Sequence, residues 1–363
     1  MTEVFDKWVD FVGKKHFSIH LILVILALAV GIVLYFEEGN STQTALADQM
    51  LHREQVVTRS GSISLSTFVQ DLSNQVSAYS TWPYIESFDK DNVQDDVNIL
   101  LHSWENTPVS GILLIDKNGV VRYGADRNRV VGIGADLSKV AYYTWAKTAI
   151  PGDRFVGSPI VSKIGFTTGR YIVPVAAPVF KDGKFNGVLV ITFLVDDATT
   201  KFLDPLKISD NTLVFVLDHD GNFVFSPIPN LIGTNFTNLF NDRSFPGKDG
   251  VIAGFKGEFA KPDTQGKFDI TIPNLMYGNT LTRFLMTYSV ANLGPGNDWS
   301  LIVMTPASDA FLFTGPFYTD QIFTLIYLII VVIGFSLVGI TTGRIKEIKV
   351  NQKEFENDRK QEN

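Results

Sequence analysis

The chain has 363 residues, 45% of them hydrophobic, a formal net charge of −7 and no cysteine. That composition excludes a disulfide framework, a thiolate metal site and a thiol nucleophile. The acidic balance argues against a polyanionic partner such as nucleic acid.

Residues 1–16 place Val4, Phe5, Trp8, Phe11 and Val12 at helical spacing, with Asp6, Lys7 and Asp10 between them. Such a segment suits a short cytoplasmic amphipathic helix on the membrane surface, or a plain N-terminal extension of the next helix. Residues 17–36 hold 20 positions without a formal charge, and residues 321–340 hold another 20. At 1.5 Å per residue each covers the roughly 30 Å hydrocarbon core of a bilayer. Each Leu, Ile, Val or Phe favours insertion by about 0.3–0.6 kcal/mol, which outweighs the few polar residues near the ends. Both stretches are apolar all round, so a buried soluble helix is the poorer reading. The first is longer than a signal-peptide core and has no A-x-A site after Tyr35, so it reads as an uncleaved anchor.

Lys14 and Lys15 precede the first stretch, and Arg344, Lys346 and Lys349 follow the second, while Glu37, Glu38 and Asp320 flank the other sides. This asymmetry predicts cytoplasmic termini and an extracytoplasmic middle. With three basic and three acidic residues before the first span and six and five after the second, 22 basic and 30 acidic residues remain between them. The middle section therefore carries a net charge of about −8.

From Glu37 to Tyr79 there is no proline, and Leu46, Met50, Val57, Phe68, Leu72, Val76 and Tyr79 recur at helical steps. The pattern predicts a long helix over 37–79, with an interruption near Gly61. Such a helix could form a homodimer or could pack only on its own domain.

The next section holds an internal repeat. One copy runs from Gly111, GILLIDKNGVVRYGADRNRVVGIGADLS, and the other from Thr212, TLVFVLDHDGNFVFSPIPNLIGTNFTNL. In each an apolar strand ends at Asp116 or Asp218. A turn containing Asn118-Gly119 or Asp220-Gly221 comes next, and a second strand closes a hairpin. Each copy ends in a further hairpin: residues 171–180 and 188–195 around Lys181-Asp182-Gly183-Lys184, and residues 282–289 and 299–305 around Gly294-Pro295-Gly296-Asn297.

The arrangement resembles a double Cache domain, the extracellular input module of many prokaryotic chemoreceptors, histidine kinases and cyclases. The resemblance covers about residues 37–312. It rests on Asp136-Leu137-Ser138 with Tyr142-Tyr143, on Thr168-Gly169-Arg170, and on Ala177-Pro178-Val179-Phe180 with Asp182-Gly183 and Gly187-Val188-Leu189. Asp298-Trp299-Ser300-Leu301-Ile302-Val303 with Thr305-Pro306 adds to it. It implies an α+β fold: two PAS-like antiparallel-sheet modules on a long N-terminal helix, flanked by two transmembrane helices. The expected domains are a cytoplasmic segment 1–16, span 17–36, helix 37–79, a membrane-distal module 80–204, a membrane-proximal module 205–316, span 317–342 and a tail 343–363.

In that family the distal module usually holds the ligand. The amino-acid-binding members use Arg-x-Trp-Tyr for the carboxylate and a later Asp for the ammonium. Aligning Tyr142-Tyr143 with Trp-Tyr leaves Val140 at the Arg position, and aligning Gly187-Val188-Leu189 puts Thr192 near the Asp position. Both charged partners are missing, so the expected ligand is a small molecule other than an α-amino acid. The candidate site comprises Tyr123, Tyr142, Tyr143, Trp145, Arg170 and Thr192: aromatic walls, one cation and a few hydroxyls.

Other chemistries find little support. Only His16 and His20 among the five histidines share i,i+4 spacing, at the membrane entrance, so no haem or metal site is expected. Asp116, Asn118, Asp218, His219 and Asp220 lack the rest of a calcium loop and read as turn residues. No nucleophile elbow, P-loop or zinc motif occurs, so no enzyme and no cofactor are expected. The 23 residues after Ile340 cannot hold a kinase, cyclase or methyl-accepting region. The expectation is a sensor that acts through a cytoplasmic partner, an input fragment of a longer receptor, or a binding or adhesion module.

Overall fold

The computed structural model of the protein describes residues 2–89, 92–128, 130–240, 244–259, 265–275, 280–294 and 297–311, with short helical pieces between 322 and 353. The side chains that would make residues 1–16 amphipathic, the end of the proximal module after 311 and much of the second apolar stretch lie outside the described residues. Among the described residues no helix is long and apolar enough to cross a membrane. The chain divides into two units, one of residues 1–48 with 310–363 and one of residues 49–309. In the first, Leu325 packs over Gly31, and Ile25, Leu26, Val33, Phe36, Phe323 and Tyr327 leave large apolar side chains exposed.

The chain opens with α1 (Thr2–Ser80), followed by α2 (Pro83–Ser87) and α3 (Val93–Ser103). The first sheet is built from β1 (Val109–Asp116), β2 (Val121–Asp126), β3 (Phe155–Val156), β4 (Ile160–Val161), β5 (Tyr171–Lys181) and β6 (Lys184–Leu194), with α4 (Ala141–Ala146) between β2 and β3. Then come α5 (Val195–Ala198), β7 (Leu213–Leu217), β8 (Phe223–Phe225), α6 (Lys248–Phe259), β9 (Gln265–Pro273), β10 (Leu281–Asn292), β11 (Asp298–Pro306) and α7 (Ala307–Phe311).

The two sheets share one topology. Their strand orders are β2-β1-β6-β5-β3, with β4 also on β5, and β8-β7-β11-β10-β9; each of these pairings is antiparallel. The repeat extends to single hydrogen bonds. Asp116 Oδ1 accepts from the amides of Asn118 and Val120, and Asp218 Oδ1 accepts from those of Asp220 and Asn222. Leu137 N donates to Gly119 O, and Phe236 N donates to Gly221 O. Gly119 and Gly221 sit at φ +85° and +77°, the positive values that such turns require. These acidic residues are consumed by turn chemistry, and the described residues contain no group of three metal-type ligands.

Alternation along the central strands sorts side chains onto two faces. Ile112, Leu114, Leu189, Ile191 and Phe193 of the first sheet, and Val214, Val216, Leu301 and Val303 of the second, join Leu65, Val69, Leu72 and Val76 of α1 in one continuous core. The outer face of each sheet has its own cluster: Leu113, Ile115, Val188 and Val190 under α4 in the first, and a phenylalanine-rich layer under α6 in the second.

The expected break near Gly61 does not occur; α1 runs through it. Glycine weakens a helix by roughly 1 kcal/mol relative to alanine. Here it is fully packed, and a Cβ at this position would stand 2.5 Å from Leu206 Cδ1 and 3.0 Å from Leu301 Cδ2. The glycine lets the segment between the sheets, and β11, approach the helix backbone.

Candidate functional site

The outer layer of the first sheet is the expected ligand site. Helix α4 starts after Val140, whose extended backbone ends the preceding loop. One short turn is enough to aim Tyr142, Tyr143 and Ala146 together at the sheet, and all three are buried. They meet Leu113, Ile115, Val121, Ala176, Val188 and Val190. Val140, Trp145 and Phe155 close the edge, with the Trp145 and Phe155 rings 5.3 Å apart.

The two tyrosines differ in what their hydroxyls do. Tyr143 donates to Lys117 O at 2.6 Å, which ties α4 to the first hairpin turn. Burial, then the charges of Asp116 and Asp136, push its hydroxyl above the usual range. Asp116 itself lies low: burial works against ionisation, but the Val120 and Asn118 amides and the Arg122 guanidinium at 2.7 Å outweigh it. Burial alone pushes Tyr142 up to about 12. In a wall that is otherwise apolar, Tyr142 supplies a hydroxyl that is neutral at ordinary pH.

Three other candidates lie elsewhere. The β1–β2 register shifts between Leu114 and Ile115, so Val121 pairs with Ile115 and Tyr123 with Leu114. This bulge breaks the alternation that would put both on one face. Val121 belongs to the outer layer, whereas Tyr123 packs on the helix side and donates to Phe88 O at 3.2 Å. Arg170 is half-buried just before β5, 3.2 Å from Asp196 and 3.6 Å from Asp197, so its charge is already matched. Thr192 shares the outer-layer side of β6 with Val188 and Val190, but its hydroxyl meets Ser110 Oγ at 3.0 Å and donates to Gly111 O at 3.3 Å. It links β6 to β1. The structure thus brings Tyr142, Tyr143 and Trp145 together and separates Tyr123 and Arg170 from them.

One contributor is visible only in the fold. Asp126, at the end of β2 and nearly buried, accepts from Phe166 N at 2.9 Å and from Asn128 N at 2.9 Å. It anchors the 162–170 loop, which Ser162 and Thr167 cross-link internally at 2.8 Å, and Ile164 of this loop reaches the outer layer. A lone Asp in a strand-loop junction carries no sequence signal of that role. Two concavities open away from this layer. One of about 200 Å³ is lined by Asn211, Asn274, Thr282 and Asp309, and one of about 280 Å³ by Asn106, Asp197, Thr200 and Lys201.

Comparison with known proteins agrees with this architecture. The family model of the Cache domain, dCache_1, matches residues 39–312. The extracellular domain of mmHK1S-Z3, described as a histidine kinase, superposes with a TM-score of 0.51 at 12% identity, covering 74% of this chain and 96% of that one. The sensory domain of the Campylobacter jejuni chemoreceptor Tlp3 with isoleucine bound gives 0.48 at 15% identity, over 74% and 97%. The ligand-binding domain of the Pseudomonas fluorescens chemoreceptor CtaA in complex with L-leucine gives 0.49 at 12%, over 75% and 99%. The comparison with curated proteins finds no match. A family model that covers about three quarters of the chain, joined to a duplicated sheet topology on one long helix, places this protein in the Cache domain family, in its double form.

Proposed function

We propose that this chain is the membrane-anchored sensing part of a receptor, whose distal module, residues 80–204, binds a small molecule other than an α-amino acid. The observation that carries the reading is the outer layer of the first sheet. Two neutral phenols stand in an apolar wall: Tyr143 donates to Lys117 O, while Tyr142 faces the layer. The two positions that would hold an amino acid's charges are Val140, packed as a hydrophobic, and Thr192, bonded to β1. A zwitterion there would lose hydration with no ion to replace it. A ligand with an apolar body and one or two uncharged polar groups fits that surface.

Anchoring through residues 17–36 and 317–342 is supported by charge asymmetry and by the exposed apolar side chains of both stretches. This arrangement makes the termini cytoplasmic and the two modules extracytoplasmic. Val56 and Ile63, exposed seven residues apart on α1, supply a stripe for a homodimer. Binding in the distal module shifts α1 and passes the displacement inward to a cytoplasmic partner, provided that the ligand favours one of two states. The role is binding, without catalysis.

The test is a thermal-shift screen of the full chain in lipid nanodiscs against small metabolites, repeated with Ala146→Trp, which fills the layer under α4. The reading predicts stabilisation by an uncharged compound, lost in the variant. Stabilisation only by α-amino acids, or equal stabilisation of the variant, would refute it.

A further inference from the structure

A second polar feature lies far from α4. Helix α1 presents Glu54, Thr58 and Ser62 at four-residue steps, one row facing the second sheet. All three are buried. Thr58 Oγ1 meets Thr287 Oγ1 at 2.7 Å, and Ser62 Oγ meets Ser289 Oγ at 2.8 Å. Glu54 holds the third place in the row, fully buried, with the Thr305 hydroxyl beside it but in hydrogen-bonding geometry with neither carboxyl oxygen. An unpaired buried carboxylate is costly, and the neutral acid much less so.

Among the described residues the surroundings offer no counter-ion. On β7, β10 and β11 the helix-facing polar groups near this row are hydroxyls: Thr287, Ser289 and Thr305, with Thr212 just before β7. Arg283 of β10 is exposed and paired with Asp269 of β9, and Tyr288 faces the opposite layer against Phe268. Asp298 begins β11, at the other end of that strand from Thr305. Lys207 and Asp204, beside the turn that meets α1 at Gly61, pair with each other at 2.7 Å. His52, Arg53 and Arg59 of α1 are exposed. Beyond Thr305 the hydroxyls continue: Thr305 to Thr212 at 2.9 Å, Thr212 to Ser209 at 3.1 Å, and Ser209 donating to Asp309 Oδ2 at 2.6 Å. Asp309 lies in α7, and Glu54 lies on α1.

We propose that Glu54 is a proton-operated latch between α1 and the second sheet, closed while the carboxyl is neutral and loosened when it ionises. Ionised, it draws the Thr305 hydroxyl proton towards itself and away from Thr212, which disturbs the chain to Asp309. Proton occupancy thereby reaches both α1 and α7. This input is separate from the distal ligand and does not depend on it.

The test is hydrogen–deuterium exchange of residues 50–62 in the full chain in nanodiscs, at about pH 6 and about pH 9, corrected for the intrinsic exchange rate. The wild type is expected to lose protection by at least about tenfold at the higher pH, while Glu54→Gln and Glu54→Met keep it in both conditions. If neither variant folds, infrared difference spectra of the wild type decide, since the latch requires a protonated-carboxyl band at the lower pH that disappears at the higher one. Unchanged wild-type protection, the same pH response in a folded variant, or no such band would overturn the proposal.

Discussion

Replacing Glu54 with Gln isolates the cost of a buried acid. Burial pushes the carboxyl from 4.5 up to about 8, with the Thr305 side chain offsetting part of the rise. A group whose value is raised on folding favours the folded state fully below its unfolded value and loses that advantage as pH rises to the folded value. The loss therefore develops between pH 4.5 and about 8. At neutral pH about two and a half pH units of it have accrued, at about 1.4 kcal/mol each, or roughly 3 kcal/mol. That is a large share of the roughly 5–15 kcal/mol typical of a folded domain. Gln cannot ionise, so its curve lacks this slope, although its amide shifts the level by about 1–2 kcal/mol at every pH. Circular-dichroism melting of the full chain in nanodiscs measures the difference. Between pH 5 and pH 7.5 the wild-type midpoint is expected to fall about 6–10 °C further than that of Glu54→Gln. Other titrating groups cancel in the comparison. Parallel curves would refute the reasoning.

Gly61→Ala gains helix propensity but sets a Cβ against Leu206 and Leu301, so a net loss of about 1–3 kcal/mol is expected in chemical denaturation. Thr192→Val leaves Ser110 with one fewer partner and is expected to cost about 1–2 kcal/mol, without changing which compounds bind. Since the chain has no cysteine, Ser64→Cys and Lys353→Cys report topology directly. An impermeant maleimide on intact cells is expected to label the first, and the second only after permeabilisation. Labelling of both, or of neither, on intact cells would contradict the two-span arrangement.

Much of the fold is legible in the sequence because local chemistry and tertiary structure agree. Asn118-Gly119 and Asp220-Gly221 can only turn the chain, and the apolar runs beside them have nowhere to go but a sheet. The duplication is visible because both copies spend the same Asp on the same two amides. The features that are not legible depend on partners distant in sequence. Tyr123 changes face because of a bulge opposite Leu114, and Gly61 continues a helix because Leu206 needs its space. Arg170 reads as a free cation in the sequence because Asp196 and Asp197 reach it only after β5 and β6 have paired. The row Glu54, Thr58 and Ser62 carries no signal because polar residues on a helix ordinarily face water, and only the second sheet makes them interior. Helix α6 and β9 are longer counterparts of α4 and β3, and their sequences share too little with the first module to be aligned with it.

The central claim is that a ligand enters the layer between α4 and the outer face of the first sheet. Carbon-13 NMR of tyrosine-labelled full-length chain in nanodiscs, with resonances assigned by single Tyr→Phe variants, tests it directly. On adding a compound that stabilises the protein, the Tyr142 and Tyr143 ring signals are expected to shift while Tyr123, on the opposite face, stays in place. A shift at Tyr123 with none at Tyr142 would contradict the account.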